Sequence, residues 1–106
     1  MEEVAAAHLQ KRGWRLIEKN ARFREGEIDL IMEAPEGLKF VEVKGRKNEK
    51  FGGVVESVTT RKIQRLRRAI YRWRERSLDR RNGELYFVGI LVNAEGALTI
   101  EEYPIE

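Results

Sequence analysis

At 106 residues, 42% of them hydrophobic and 37% charged, the chain has room for one domain (residues 1–106) and one core, so any site must share a small scaffold. It contains no Cys, which excludes disulfides and thiolate metal sites, and no apolar run near ~18 residues that could span a membrane. A cytoplasmic protein without membrane contact is expected. The net charge of +3 conceals a polarity: residues 60–81 hold ten basic residues against Glu75 and Asp79, whereas residues 82–106 hold five acids and no base. Such asymmetry predicts a polyanionic partner for the basic segment.

Glu2 to Arg12 reads as a helix, rich in alanine, with Lys11 and Arg12 near its C-terminus and Gly13 placed to end it. Val4, Ala5 and Leu9 would face the core. Glu2 and Glu3 fall in the first turn, where the helix dipole favours acids whether or not they serve chemistry. His8, the single histidine, has no second His or Cys near it and reads as a half-exposed packing residue. Trp14 to Asn20 reads as a short strand, and Arg22, Phe23 and Arg24 as a basic connector.

Glu27 to Met32 and Leu38 to Lys44 form two further strands around the turn Pro35-Glu36-Gly37, an antiparallel hairpin. Gly45 to Glu56 is polar and reads as a loop. From Thr59, a predicted N-cap, a long helix follows, with Ile63, Leu66, Ile70, Trp73 and Ser77 spaced by three and four residues. Trp73 lies on that packing stripe; its neighbour Tyr71 does not. Glu84 to Val92 and Ala97 to Tyr103, joined by Asn93-Ala94-Glu95-Gly96, are the last strands. The order αβββαββ predicts an α/β sandwich, a central mixed five-stranded sheet flanked by two helices, with the pairing sense of the last strands left open.

The hairpin carries acids where buried strands normally exclude them. Strand alternation puts Glu27 and Asp29 on one face and Glu42 and Lys44 on one face. Hydrolysis of a phosphodiester is helped by a divalent cation, which prefers hard oxygen ligands and keeps several waters. Asp29, Glu42 and a backbone carbonyl, that of Val43, could hold Mg²⁺ or Mn²⁺, with Lys44 placed to position the nucleophilic water or to neutralise charge growing on phosphate. The plainer alternative is a set of cross-strand ion pairs on a solvated sheet face.

The acidic N-terminal helix, Asn20-Ala21-Arg22, GEIDLI, FVEVKGR, FGGVVESV and TTRKIQRL together closely resemble the YraN-like family of small bacterial proteins. That family is assigned to the restriction-endonuclease-like PD-(D/E)xK superfamily and is similar in pattern to archaeal Holliday-junction resolvases. The resemblance runs from about Glu2 to Leu66. It implies the superfamily's three-layer sandwich and metal-dependent nuclease chemistry, with Asp29 as the motif Asp, Glu42 and Lys44 as the ExK pair, and Glu2 as the helix-borne acid. Glu27 is an auxiliary candidate, and Lys62 matches a polar position on the helix after ExK. The resemblance further implies DNA ahead of RNA, branched substrates, and a homodimer paired through the β edge after Gly83. One departure stands out: where the family pattern resembles RFDVV, this chain reads Tyr86-Phe87-Val88-Gly89-Ile90, without Arg or Asp.

Arg61, Lys62, Arg65, Arg67, Arg68, Arg72, Arg74 and Arg76 surround the long helix outside its packing stripe. Phosphates are their natural complement. Arg61, Arg65 and Arg68, together with Arg22, Arg24, Arg46 and Lys47, are the predicted nucleic-acid contacts; Lys50 lies close beyond them. The alternatives are a solvated helix paired with the acidic C-terminal strands, a non-catalytic binding module, and a protein-interaction surface. No zinc finger, helix-turn-helix or RNP pattern supplies base-specific readout.

Overall fold

Helix α1 (Glu2–Lys11) ends where glycine is expected to end it: the N–H groups of Arg12 and Gly13 donate to the Leu9 and Gln10 carbonyls, and Gly13 adopts φ 91°. In the computed structural model, which describes residues 1–46 and 58–105, there follow β1 (Arg15–Phe23), β2 (Gly26–Ala34), β3 (Gly37–Arg46), α2 (Thr60–Ser77), β4 (Gly83–Val92) and β5 (Leu98–Ile105). The sheet order is β1-β2-β3-β4-β5. Only β3 and β4 pair in parallel, because α2 crosses between them and returns the chain to the same end of the sheet. The result is the expected mixed five-stranded sheet between two helices.

Each face of the sheet has its own core. Ala5, Ala6 and Leu9 of α1 bury against Leu30, Met32, Val41, Val88 and Ile90; Leu66, Ala69, Ile70 and Trp73 of α2 bury against Ile31, Leu38, Phe40 and Leu85. Val4 packs on the first core but stays partly exposed, and Ser77, where α2 ends, is exposed. Trp73 is core, its ring edge-on to Phe40 at 5.5 Å. Its indole N–H donates to Glu18 at 3.0 Å.

Several boundaries differ from the sequence reading: β2 continues to Ala34, and β5 runs from Leu98 to Ile105. Arg22 and Phe23, expected in a connector, belong to β1 because they pair with Glu27 and Gly26; a register shift between Leu16 and Glu18 and Asn20 at φ 53° accommodate the longer strand. Trp14 lies just outside β1, buried with its ring 5.1 Å from Tyr86. Gly45 and Arg46, expected in the loop, extend β3 by pairing with Ile90 and Leu91. The remainder of that predicted loop, with Lys47 and Lys50, lies outside the described residues. β4 is interior, so the open edge after Gly83 is that of β5.

The charges of α2 are divided along its length. Arg72 pairs with Glu25 and Glu75, and Arg76 with Glu18, so the C-terminal half is neutralised by acids of the β1 region and of the helix itself. The acidic C-terminal strands do not serve it: Glu84 pairs with Lys39, and Glu102 accepts from His8, Arg12 and Tyr86. Among the described residues, Arg61, Lys62, Arg65, Arg67 and Arg68 have no ion-pair partner. No described helix is long and apolar enough to cross a membrane.

Helix α2 closes with Leu78 at φ 60°, ψ 17°, a left-handed cap occupied by a residue with a Cβ and 73% exposed. Glycine suits that conformation and Leu78 contributes little burial. Leu78→Gly is expected to stabilise the fold by about 0.5–1 kcal/mol in urea unfolding.

Candidate active site

The site opens where the sheet splits. The β2–β3 ladder runs from Ala34↔Gly37 to Leu30↔Val41 and stops. Beyond it, Gly26 to Ile28 stay paired with β1, while Glu42 to Arg46 stay paired with β4. The wedge is bridged by a side chain: Val43 N–H donates to Asp29 Oδ2 at 2.8 Å, replacing the lost ladder bond. Asp29 is thereby fixed at the mouth of the split.

A cleft of about 310 Å³ fills the wedge, lined by Glu2, Gly26, Glu27, Asp29, Glu42, Val43, Lys44, Lys62, Arg65 and Leu66. Three elements converge there. β2 and β3 bring the hairpin residues, α1 brings Glu2 from its first turn, and α2 brings Lys62 and Arg65. Thr59 caps α2 by accepting from the Lys62 N–H at 3.2 Å, which fixes the first turn of that helix over the cleft. Gly26 allows this approach: a Cβ there would stand 3.1 Å from the Arg65 carbonyl oxygen. Glu3 is not in the cleft; it is exposed and lies 3.8 Å from the N-terminal amine.

The electrostatics centre on two carboxyls. Glu42 is pushed up to about 8, first by burial, then by its hydrogen bond with Asp29 and the repulsion of that carboxylate, against the pull of Lys62 and Lys44. Glu42 therefore holds its proton near neutrality. Lys44 has no hydrogen bond or ion pair among the described residues, so its ammonium is free to meet an incoming anion. Glu27 lies 3.4 Å from Arg22 and is partly engaged.

The predicted catalytic residues Glu2, Glu27, Asp29, Glu42, Lys44 and Lys62 thus share one cleft, with Val43 in its wall. Of the predicted nucleic-acid contacts, Arg65 lines it and Arg22 stands at its rim beside Glu27. Arg24, Arg46, Arg61 and Arg68 are not in its lining, and Lys47 lies outside the described residues. Arg46 shares the strand face of Glu42 and Lys44, and its Nε is buried without a hydrogen-bond partner among the described residues. Gly26, Leu66 and the Val43 N–H were not singled out from sequence; only the Gly preceding the acidic strand hinted at a close approach.

Among the described residues no group of three or more His, Cys, Asp or Glu side chains forms a metal-binding cluster. The carboxylate pair still fits a hard dication, since Mg²⁺ takes one or two carboxylates and keeps its waters. A carboxyl whose proton is held by burial and by a neighbouring carboxylate is part of a donor set that a dication would relieve.

Comparisons with known proteins identify the family. The model of the Uncharacterised protein family UPF0102 matches residues 1–90. A UPF0102 protein of Syntrophomonas wolfei is 46% identical over 68 residues, 64% of this chain and 59% of the relative. One from Mycobacterium sp. strain JLS is 47% identical over 74 residues, 68% of this chain and 55% of the relative. One from Clavibacter michiganensis is 42% identical over 101 residues, 94% of this chain and 86% of the relative. The alignments to the first two thus span little more than half of those proteins. With the match covering the split sheet, the acid pair and the first turns of both helices, the chain belongs to the UPF0102 family, the YraN-like group that its motifs resemble.

Proposed function

We propose that the chain is a metal-dependent phosphodiester hydrolase acting on DNA ahead of RNA, with Mg²⁺ or Mn²⁺ as cofactor. The observation that carries this reading is the gathering of Asp29 and Glu42 in one cleft with Lys44 and Lys62, beside the N-terminal half of α2, whose cations have no ion-pair partner among the described residues. Asp29, Glu42 and the Val43 carbonyl would hold the dication, which supplies Lewis-acid polarisation of the phosphate when bound. Glu42 loses its proton on loading. The Lys44 ammonium offsets the negative charge that grows on the phosphoryl oxygens. Lys62 and Arg65 orient the flanking phosphate, and Arg61, Arg67 and Arg68 hold the strand beyond it without reading bases. A cytoplasmic homodimer paired through the β5 edge would let two clefts address two strands.

A non-catalytic nucleic-acid-binding module is the second reading, favoured by the gathering of only two carboxylates in metal-binding range among the described residues. Incubation of duplex, branched, flapped and single-stranded DNA with the protein in Mg²⁺, Mn²⁺ or EDTA separates the two. Cleavage that EDTA suppresses is the expected result. Salt-sensitive binding without cleavage in either metal overturns hydrolysis and leaves the binding module.

A further inference from the structure

Helix α2 packs over β2 and β1, although the strands it connects are β3 and β4. Its flank toward β4 is therefore left as the wall of an open groove of about 590 Å³. The floor is apolar, formed by Phe40, Ile70, Leu85 and Ile105, and the wall carries Arg67, Tyr71 and Arg74. Gly83 keeps the groove deep: a Cβ there would fall 2.4 Å from Phe40 and 2.8 Å from the Arg74 guanidinium.

The wall residues differ in what already engages them. Arg74 lies over the Phe40 ring at 5.2 Å and donates to the carbonyls of Asp79 and Arg81, so it is part of the frame. Arg67 has no ion partner among the described residues. Tyr71 is 64% exposed, with no hydrogen bond among the described residues. The two are four residues apart on one helix face, so a free cation and a free aromatic ring stand together at the lip of the groove. The core does not require this ring, because Trp73 two residues later fills that role.

A small notch lies between the groove and the cleft, its lining including Glu42, Lys62 and Leu66 of the cleft and Ile105 of the groove. Six residues of helix separate Arg65 from Tyr71, about 9 Å along the axis, or roughly three stacked nucleotide steps. A volume of this size accepts a nucleoside-sized ligand. A paired duplex offers only phosphates to such a wall, whereas a strand with an unstacked base offers a planar ring and a phosphate together.

We propose that the groove between α2 and β4 is a subsite for an unstacked base of a nucleic-acid strand, with Tyr71 as its stacking face and Arg67 as its phosphate contact. The proposal rests on the nucleic-acid part of the function above and not on hydrolysis; it makes the preferred substrate one with single-stranded or frayed nucleotides near the scissile bond.

The test measures affinity in EDTA, where hydrolysis is suspended, by anisotropy of a labelled single-stranded decamer and of its fully paired duplex. Tyr71→Ala should weaken single-strand binding about tenfold and duplex binding less than twofold, while Tyr71→Phe retains both. A 2-aminopurine in the decamer should be quenched by the wild type and not by Tyr71→Ala. Arg67→Gln should lower the salt slope by about one for the single strand. Unchanged melting of the variants confirms that the exposed ring is not structural. Equal losses on both substrates, no loss on either, or no nucleic-acid binding at all would overturn the subsite, as would displacement of bound decamer by an apolar peptide but not by excess mononucleotide. Failure of hydrolysis reads separately, as binding and quenching without cleavage.

Discussion

Lys44→Met and Asp29→Asn are each expected to lower the proposed metal-dependent cleavage, by about 10²–10³-fold for the lysine and at least as much for the aspartate, with only the aspartate variant also expected to lose the metal. The distinction follows from position. Asp29 is anchored by the Val43 N–H at 2.8 Å, and asparagine can keep that acceptor through its amide oxygen while giving up the charge a dication needs. Glu42 then lacks its repelling neighbour, and its raised proton affinity falls only in part, because burial, the larger cause, remains. Lys44 lines the same cleft without a partner among the described residues, so methionine preserves its volume and leaves the pair of acids intact. Calorimetric Mn²⁺ titration alongside single-turnover cleavage checks both halves: binding retained in Lys44→Met and lost in Asp29→Asn. Equal cleavage by wild type and either variant would remove that residue from the chemistry.

Much of the fold was legible because the punctuation is strong. Gly13, the Pro35-Glu36-Gly37 turn, Thr59 and the Asn93 to Gly96 turn each end or begin an element where their backbone preferences say they should. The α2 stripe of Leu66, Ile70 and Trp73 needed only the helical period. What was not legible depended on pairing. Arg22 and Phe23 look like a charged connector, and Gly45 and Arg46 like the start of a loop, until partners on β2 and β4 extend those strands. The parallel sense of β3 and β4 rests on where a helix returns the chain, which local sequence does not encode.

The site was legible in its residues and not in its opening. Alternation pairs Glu27 with Asp29 and Glu42 with Lys44, and all four line one cleft, yet nothing local says that the β2–β3 ladder stops at Leu30↔Val41 and leaves a wedge. Nor does composition distinguish Arg65 at the cleft from Arg72 and Arg76, which are consumed by Glu25 and Glu18 from a distant part of the chain. The charge without an ion-pair partner among the described residues therefore lies in the N-terminal half of α2, a narrower surface than the ten basic residues of the segment suggested.

Glu42→Gln melts well above the wild type at pH 9 in EDTA and together with it at pH 4. In the fold the Glu42 carboxyl titrates at about 8, against 4.5 for the unperturbed group. Below the lower value both states hold the proton and the carboxyl costs nothing. Between the two values the unfolded chain releases its proton while the folded chain keeps it, so stability falls as pH rises, and above about 8 the loss is complete. The span sets a ceiling of about 5 kcal/mol; the partial exposure of Glu42 at the cleft reduces the expectation to about 2 kcal/mol, or roughly 10 °C in Tm for a domain of this size. Glutamine occupies the same space without ionising, so it escapes the loss. Adding Mn²⁺ at pH 8 reverses the ranking in part: a dication between Asp29 and Glu42 stabilises the wild type by mass action and leaves Glu42→Gln nearly unmoved. Calorimetric scans of both proteins from pH 4 to 9, with and without metal, measure this, and parallel pH profiles would show that burial beside Asp29 does not hold the Glu42 proton.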